Sequence, residues 1–142
     1  MKFENYMILE FPSKSCNEAF ARSAVACFAA QMDPTLEELG DIRTAVSEAV
    51  TNCIVHAYRD EAGEITIEVK LCEGRLIRID IRDRGCGIEN VKQAREPLFT
   101  TDAAGERSGM GFTVMESFCD ELRVTSRKDR GTTVTLLKRL HK

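Results

Sequence analysis

Ser47-Glu48-Ala49-Val50-Thr51-Asn52-Cys53-Ile54-Val55-His56-Ala57-Tyr58 decides how the rest of this chain is read. Extended upstream, its apolar residues Leu39, Ile42, Val46, Ala49, Val50 and Cys53 recur at three- and four-residue steps, the period of one helix face. The spacing predicts a long amphipathic helix ending at about Tyr58. It starts at Asp33-Pro34-Thr35, with Pro34 in its first turn and Glu37 and Glu38 near its positive end. Glu48 and Asn52 are four apart, so they stack one turn above the other, away from the apolar face. A carboxylate beside a carboxamide can bind water, a hard cation or a phosphate-bound metal. On the pair alone, an ordinary solvated helix face is the favoured reading, and the later stretches change that weighing.

On the N-terminal side, Phe3, Met7, Ile8, Leu9 and Phe11 suggest a strand ending at Pro12. Ser13 or Ser15 can cap a helix, with Glu18 as capping-box partner of Ser15, running through Phe20, Ala24, Cys27 and Phe28 to about Gln31. On the C-terminal side, Ile65, Ile67, Val69 and Leu71 alternate with polar residues, as do Ile77, Ile79 and Ile81, with a hairpin turn at Glu73-Gly74. A short helix near Glu89 to Arg95 and a helix from about Met110 to Phe118 follow. Strands over Glu121 to Ser126 and Thr132 to Leu137 close the chain. Two helices between the first two strands, then antiparallel hairpins, predict an α+β two-layer sandwich. Its sheet is expected to be mixed, mainly antiparallel, with helices on one face, in a single domain over 1–142.

The chain has 142 residues, 43% apolar and 30% charged, the composition of a globular domain able to bury a core. A net charge of −3 gives no general case for nucleic acid. The seven Lys and Arg between Leu122 and Lys142 lack interleaved aromatics and read as a solvated strand face. No apolar run reaches transmembrane length and no signal-peptide pattern opens the chain, so a cytoplasmic protein is expected. The six cysteines show no Cys-x-x-Cys spacing and read as free, mostly buried thiols, not zinc ligands.

Four further stretches carry chemistry. In Asp83-Arg84-Gly85-Cys86-Gly87 a carboxylate follows three aliphatics on one strand face, placed to accept from an exocyclic amine. Its two glycines permit tight turning and close approach of a ligand. Gly105-Glu106-Arg107-Ser108-Gly109-Met110-Gly111-Phe112 opens a helix and can turn backbone N–H groups toward phosphates. It is neither a Rossmann nor a Walker A loop. Pro97-Leu98-Phe99-Thr100-Thr101, followed by polar chain, has the make-up of a lid. Thr132, opening the last strand, can assist Asp83 through its hydroxyl.

Together with Glu48 and Asn52, in this order, these stretches resemble the Bergerat ATP-binding fold of the GHKL superfamily, shared by gyrase, sensor histidine kinases and MutL. More narrowly, Ser47 to Asn52 with His56 to Tyr58, Pro97 to Thr101 and Glu106 to Phe112 resemble the anti-sigma serine kinases of Gram-positive bacteria, with the sporulation branch nearest. The resemblance implies that Asn52 coordinates Mg²⁺ on the ATP phosphates and that Glu48 is general base toward a serine hydroxyl. It implies that Asp83 accepts from the adenine amine, with Gly85, Gly87 and Thr132 shaping that end. Ser108, Gly109, Met110, Gly111 and Phe112 would lie along the phosphates, Arg107 would neutralise γ-phosphate charge, and Thr100 and Thr101 would belong to the lid. It further implies ATP and ADP as nucleotides, a homodimer and a sigma factor of the sigma-F type as partner. An anti-anti-sigma protein would be substrate and antagonist, and Arg22 would lie at the partner surface. Nucleotide-gated binding without phosphotransfer and a stress-response anti-sigma kinase stand as alternatives.

Overall fold

The computed structural model describes residues 3–58, 62–88, 90–95 and 111–141. The elements are β1 (Phe3–Pro12), α1 (Cys16–Ala29), α2 (Leu36–Asn52), β2 (Glu64–Cys72), β3 (Leu76–Asp83), α3 (Val91–Ala94), α4 (Gly111–Phe118), β4 (Glu121–Arg127) and β5 (Gly131–Arg139). The five strands lie in the order β1-β2-β3-β5-β4. All four neighbouring pairs are antiparallel, so the expected mixed sheet contains no parallel pair among the described strands. The reason is the final hairpin. Its second strand, β5, inserts beside β3, and β4, which runs in the direction of β3, is displaced to the edge.

Period two puts Ile65, Ile67, Val69 and Leu71 of β2, Ile77, Ile79 and Ile81 of β3, and Val134 and Leu136 of β5 on one face, all at most 5% exposed. Helix α2 lays Ile42, Val46 and Val50 on this layer and touches α1 on one side and α4 on the other. The buried face of α1 is the small stripe Ala21, Val25 and Ala29, not Phe20 and Cys27, which are exposed. Small residues let α1 approach its neighbours closely, and bulk on that face would hold it off. A buried Ile or Val contributes roughly 1.5–3 kcal/mol, an alanine far less, so α2 supplies most of the helical layer's adhesion.

The helix termini differ from expectation. Ser15 sits at the start of α1 without a side-chain cap, and Glu18 instead pairs with Arg22 at 3.2 Å. The capping box forms on α2, between Thr35 and Glu38, so Pro34 precedes the cap and does not occupy the first turn. Helix α2 ends at Asn52, not Tyr58, and a π-turn over Cys53–Ala57 follows. Tyr58 then ties that turn to the sheet: its hydroxyl donates to the Glu64 carbonyl at 2.8 Å and accepts from the Arg84 N–H at 2.5 Å. No helix of the described residues is long and apolar enough to cross a membrane. The cysteines are free, as expected, but Cys16, Cys27 and Cys86 are exposed, and only Cys53 and Cys72 are fully buried.

Candidate nucleotide site

Glu48 and Asn52 lie half-buried at the margin of the last two turns of α2, just off the face that holds Val46, Ala49 and Val50 in the core. Their position follows from helix period: residues flanking a buried stripe emerge at its rim. Glu48 opens onto a cleft of about 430 Å³ lined also by Arg22, Gly40, Arg43, Thr44 and Ser47. The cleft therefore joins Arg22 of α1 to Glu48 of α2, two residues that no spacing or period brings together.

Asp83 ends β3 directly after Ile77, Ile79 and Ile81, and its side chain is 9% exposed. Its Oδ1 accepts the Gly85 N–H at 2.9 Å and the Thr132 N–H at 3.2 Å, and its Oδ2 faces the Cys53 thiol at 3.5 Å. Burial pushes the Asp83 pKa up, partly offset by the Gly85 N–H, the Cys53 thiol and the Thr132 N–H. Burial, reinforced by the Asp83 charge, pushes the Cys53 thiol well above its ordinary value, so it remains a donor. The Thr132 hydroxyl is engaged elsewhere, 2.7 Å from Ser126 Oγ, and Thr132 meets Asp83 through its backbone.

The glycines of this loop serve protein packing. A Cβ on Gly85 would run into the Ala57 carbonyl, and one on Gly87 into the Arg127 carbonyl. Cys86, between them, donates its N–H to the same Ala57 carbonyl at 3.1 Å. The π-turn after Asn52 is thus docked on the loop after Asp83, which fixes the two halves of the site relative to one another.

Residues 11–138 match the family model of the histidine kinase-like ATPase domain. The chain is 56% identical over 138 residues to the anti-sigma F factor of Caldanaerobacter subterraneus subsp. tengcongensis, covering 97% of this chain and 96% of that protein. It is 55% identical over 139 residues to the anti-sigma F factor of Clostridium perfringens, covering 97% and 99%. The chain belongs to the anti-sigma F factor family. Two solved structures share its fold. The RsbU and RsbW domains of a Mycobacterium tuberculosis protein match with a TM-score of 0.72 at 20% identity, over 98% of this chain and 33% of that one. The histidine kinase domain of the Erythrobacter litoralis blue-light activated histidine kinase matches with a TM-score of 0.60 at 21% identity, over 87% and 61%.

In this anti-sigma F factor family member, Glu48 and Asn52 lie on α2 just before one interlocked segment, Gly85 and Gly87 in the other, and Asp83 and Thr132 on the strands beside it. Gly111 begins α4 and the half-buried Phe112 packs against the core. Thr100, Thr101, Arg107, Ser108, Gly109 and Met110 lie outside the described residues. Sequence reasoning missed Cys53 and Ser126 as polar members of the Asp83 cluster. Ser126 had a signal: period two from Leu122 and Val124 puts it on the helix-facing side, opposite Thr132. Cys53 had none beyond its place on the apolar stripe.

Proposed function

We propose that this chain, as a single domain over 1–142, is an ATP-dependent serine kinase and anti-sigma factor of the sigma-F type, acting in the cytoplasm. The observation that carries the site assignment is the cleft of about 430 Å³ that Glu48 shares with Arg22. A macromolecular substrate held at Arg22 can present a side-chain hydroxyl to Glu48 within the same concavity. Asp83, at the far side of the interlock, accepts from the adenine amine and fixes the nucleotide's base end.

Glu48 then takes the proton of the substrate serine as its oxygen attacks the γ-phosphorus and the bond to the ADP oxygen breaks. Asn52, one turn on, offers a hard carboxamide oxygen at the rim. Among the described residues no group of three or more His, Cys, Asp or Glu converges on an ion. A lone oxygen donor fits Mg²⁺, which keeps its waters and takes phosphate oxygens as further ligands. When bound, that ion neutralises phosphate charge. Arg107 is assigned the same duty toward the γ-phosphate, and Thr100, Thr101 and Ser108 to Phe112 the enclosure of the phosphates. The partners are a sigma factor and an anti-anti-sigma protein, the second being the phosphorylated one, both met by a homodimer.

The test is transfer of radiolabel from γ-labelled ATP to an anti-anti-sigma protein. Glu48→Gln is expected to lower the rate by about 10²- to 10⁴-fold with ATP affinity retained. Undiminished transfer by that variant removes Glu48 from the mechanism. ATP-dependent sigma binding with no transfer by the unaltered protein makes the chain a nucleotide-gated binding module.

A further inference from the structure

Three segments grip the Asp83 carboxylate at once. Oδ1 is held by its own strand end and by β5, through the Gly85 and Thr132 N–H groups at 2.9 and 3.2 Å. Oδ2 is approached from the π-turn that follows α2, where the Cys53 thiol lies 3.5 Å away. Cys53 is 4% exposed and is the first residue of the π-turn that docks, through the Ala57 carbonyl, on Cys86. Its sulfur lies in the core, beside the Asp83 carboxylate. Two backbone donors hold one oxygen of the carboxyl group. The thiol, from a different segment, faces the second oxygen and takes one of its acceptor directions.

We propose that Cys53 is a positioning residue for nucleobase recognition: its thiol orients Asp83 so that the remaining lone pair of Oδ2 faces the exocyclic amine of adenine. This rests on the assignment of Asp83 to the adenine amine. A carboxylate oxygen has two acceptor directions, and the thiol occupies the one turned toward the core. The other is left for the ligand in a fixed direction, so the amine's hydrogen bond forms without an ordering cost.

The measurement uses the full chain with Mg²⁺ and compares the Kd of ATP with that of purine riboside triphosphate, which lacks the exocyclic amine. A thiol that only fills space affects both nucleotides alike. A thiol that aims Asp83 affects ATP alone. The expected result is that Cys53→Ala weakens ATP by about three- to tenfold, leaves purine riboside triphosphate unchanged, and is largely rescued by Cys53→Ser. If Cys53→Ala does not fold, Cys53→Val, which fills the volume without a donor, takes its place. Equal weakening of both nucleotides, or of neither, overturns the proposal. Asp83→Asn separates the two ideas: if it fails to weaken ATP more than the purine analogue, the assignment of Asp83 itself is wrong, whatever Cys53 does.

Discussion

The two ends of the candidate site are built on opposite plans. At the base end, Asp83 is 9% exposed, three protein donors converge on its carboxyl group, and the backbones around it touch closely enough to exclude a Cβ. At the phosphate end, Glu48 and Asn52 stand half-buried on one helix rim beside an open cleft. On the proposed assignment, the first arrangement recognises by rigidity and is bound up with folding, and the second places its chemistry on half-buried side chains at the rim of the core. The difference has a physical source. A base is read by direction, which needs a fixed acceptor, whereas a phosphoryl group must be reached by a second macromolecule and so must lie near solvent.

The strongest challenge to this division is Gly131→Ala. Gly131 has φ of +110°, and a Cβ there would collide with the Asp83 carbonyl. Strain and collision should together cost roughly 2–4 kcal/mol, read as a lowered urea midpoint at unchanged slope. Glu48→Gln, at the other end, keeps the side chain's volume at a half-buried rim position and should cost less than Gly131→Ala, about 1 kcal/mol or under. Equal losses from the two variants would mean that the ends are not distinct.

Asn52→Ala sharpens the phosphate end. Losing the carboxamide should weaken ATP by about 1–3 kcal/mol in the presence of Mg²⁺, checked by titration calorimetry. With excess chelator the variant and the unaltered chain should bind alike. A deficit that persists without the ion would show that Asn52 touches the nucleotide itself.

The long helix and both central strands were legible because each carries an unbroken period, three to four over Ile42 to Val50 and two over Ile65 to Ile81. Glu48, Asn52 and Asp83 stood out as polar positions that break or flank a period, and their assignment to a nucleotide came from the resemblance. What escaped depends on contacts distant in sequence. The Cys53–Asp83 pair spans 30 residues and the Thr132–Asp83 contact 49. The exposure of Cys16, Cys27 and Cys86, against the expected mostly buried thiols, likewise depends on which faces the fold covers. Gly85 and Gly87 were singled out for close approach, and the atoms nearest to where a Cβ would stand are the carbonyls of Ala57 and Arg127. A sequence displays the need for space but not what fills it.

Glu38 asks whether the division follows burial or closeness to the nucleotide. It is 4% exposed but lies in the first turn of α2, at the opposite end from Asn52. Its carboxylate accepts the Thr35 N–H at 2.9 Å and the His141 N–H at 2.7 Å, pinning the C-terminal segment to the helix start. The Thr35 N–H is the chief cause holding its pKa below the ordinary glutamate value, against the opposing effect of burial. A depressed carboxylate pKa adds stability that is fully present above the unfolded-state value and is lost as pH falls through the folded-state value. Glu38→Gln should therefore cost about 1 kcal/mol near neutrality, and the gap from the unaltered chain should close on acidification below the ordinary glutamate range. ATP affinity should not change. If it falls with stability, α2 transmits strain along its whole length, and the contrast between the two ends of the site becomes one between two ends of a single lever.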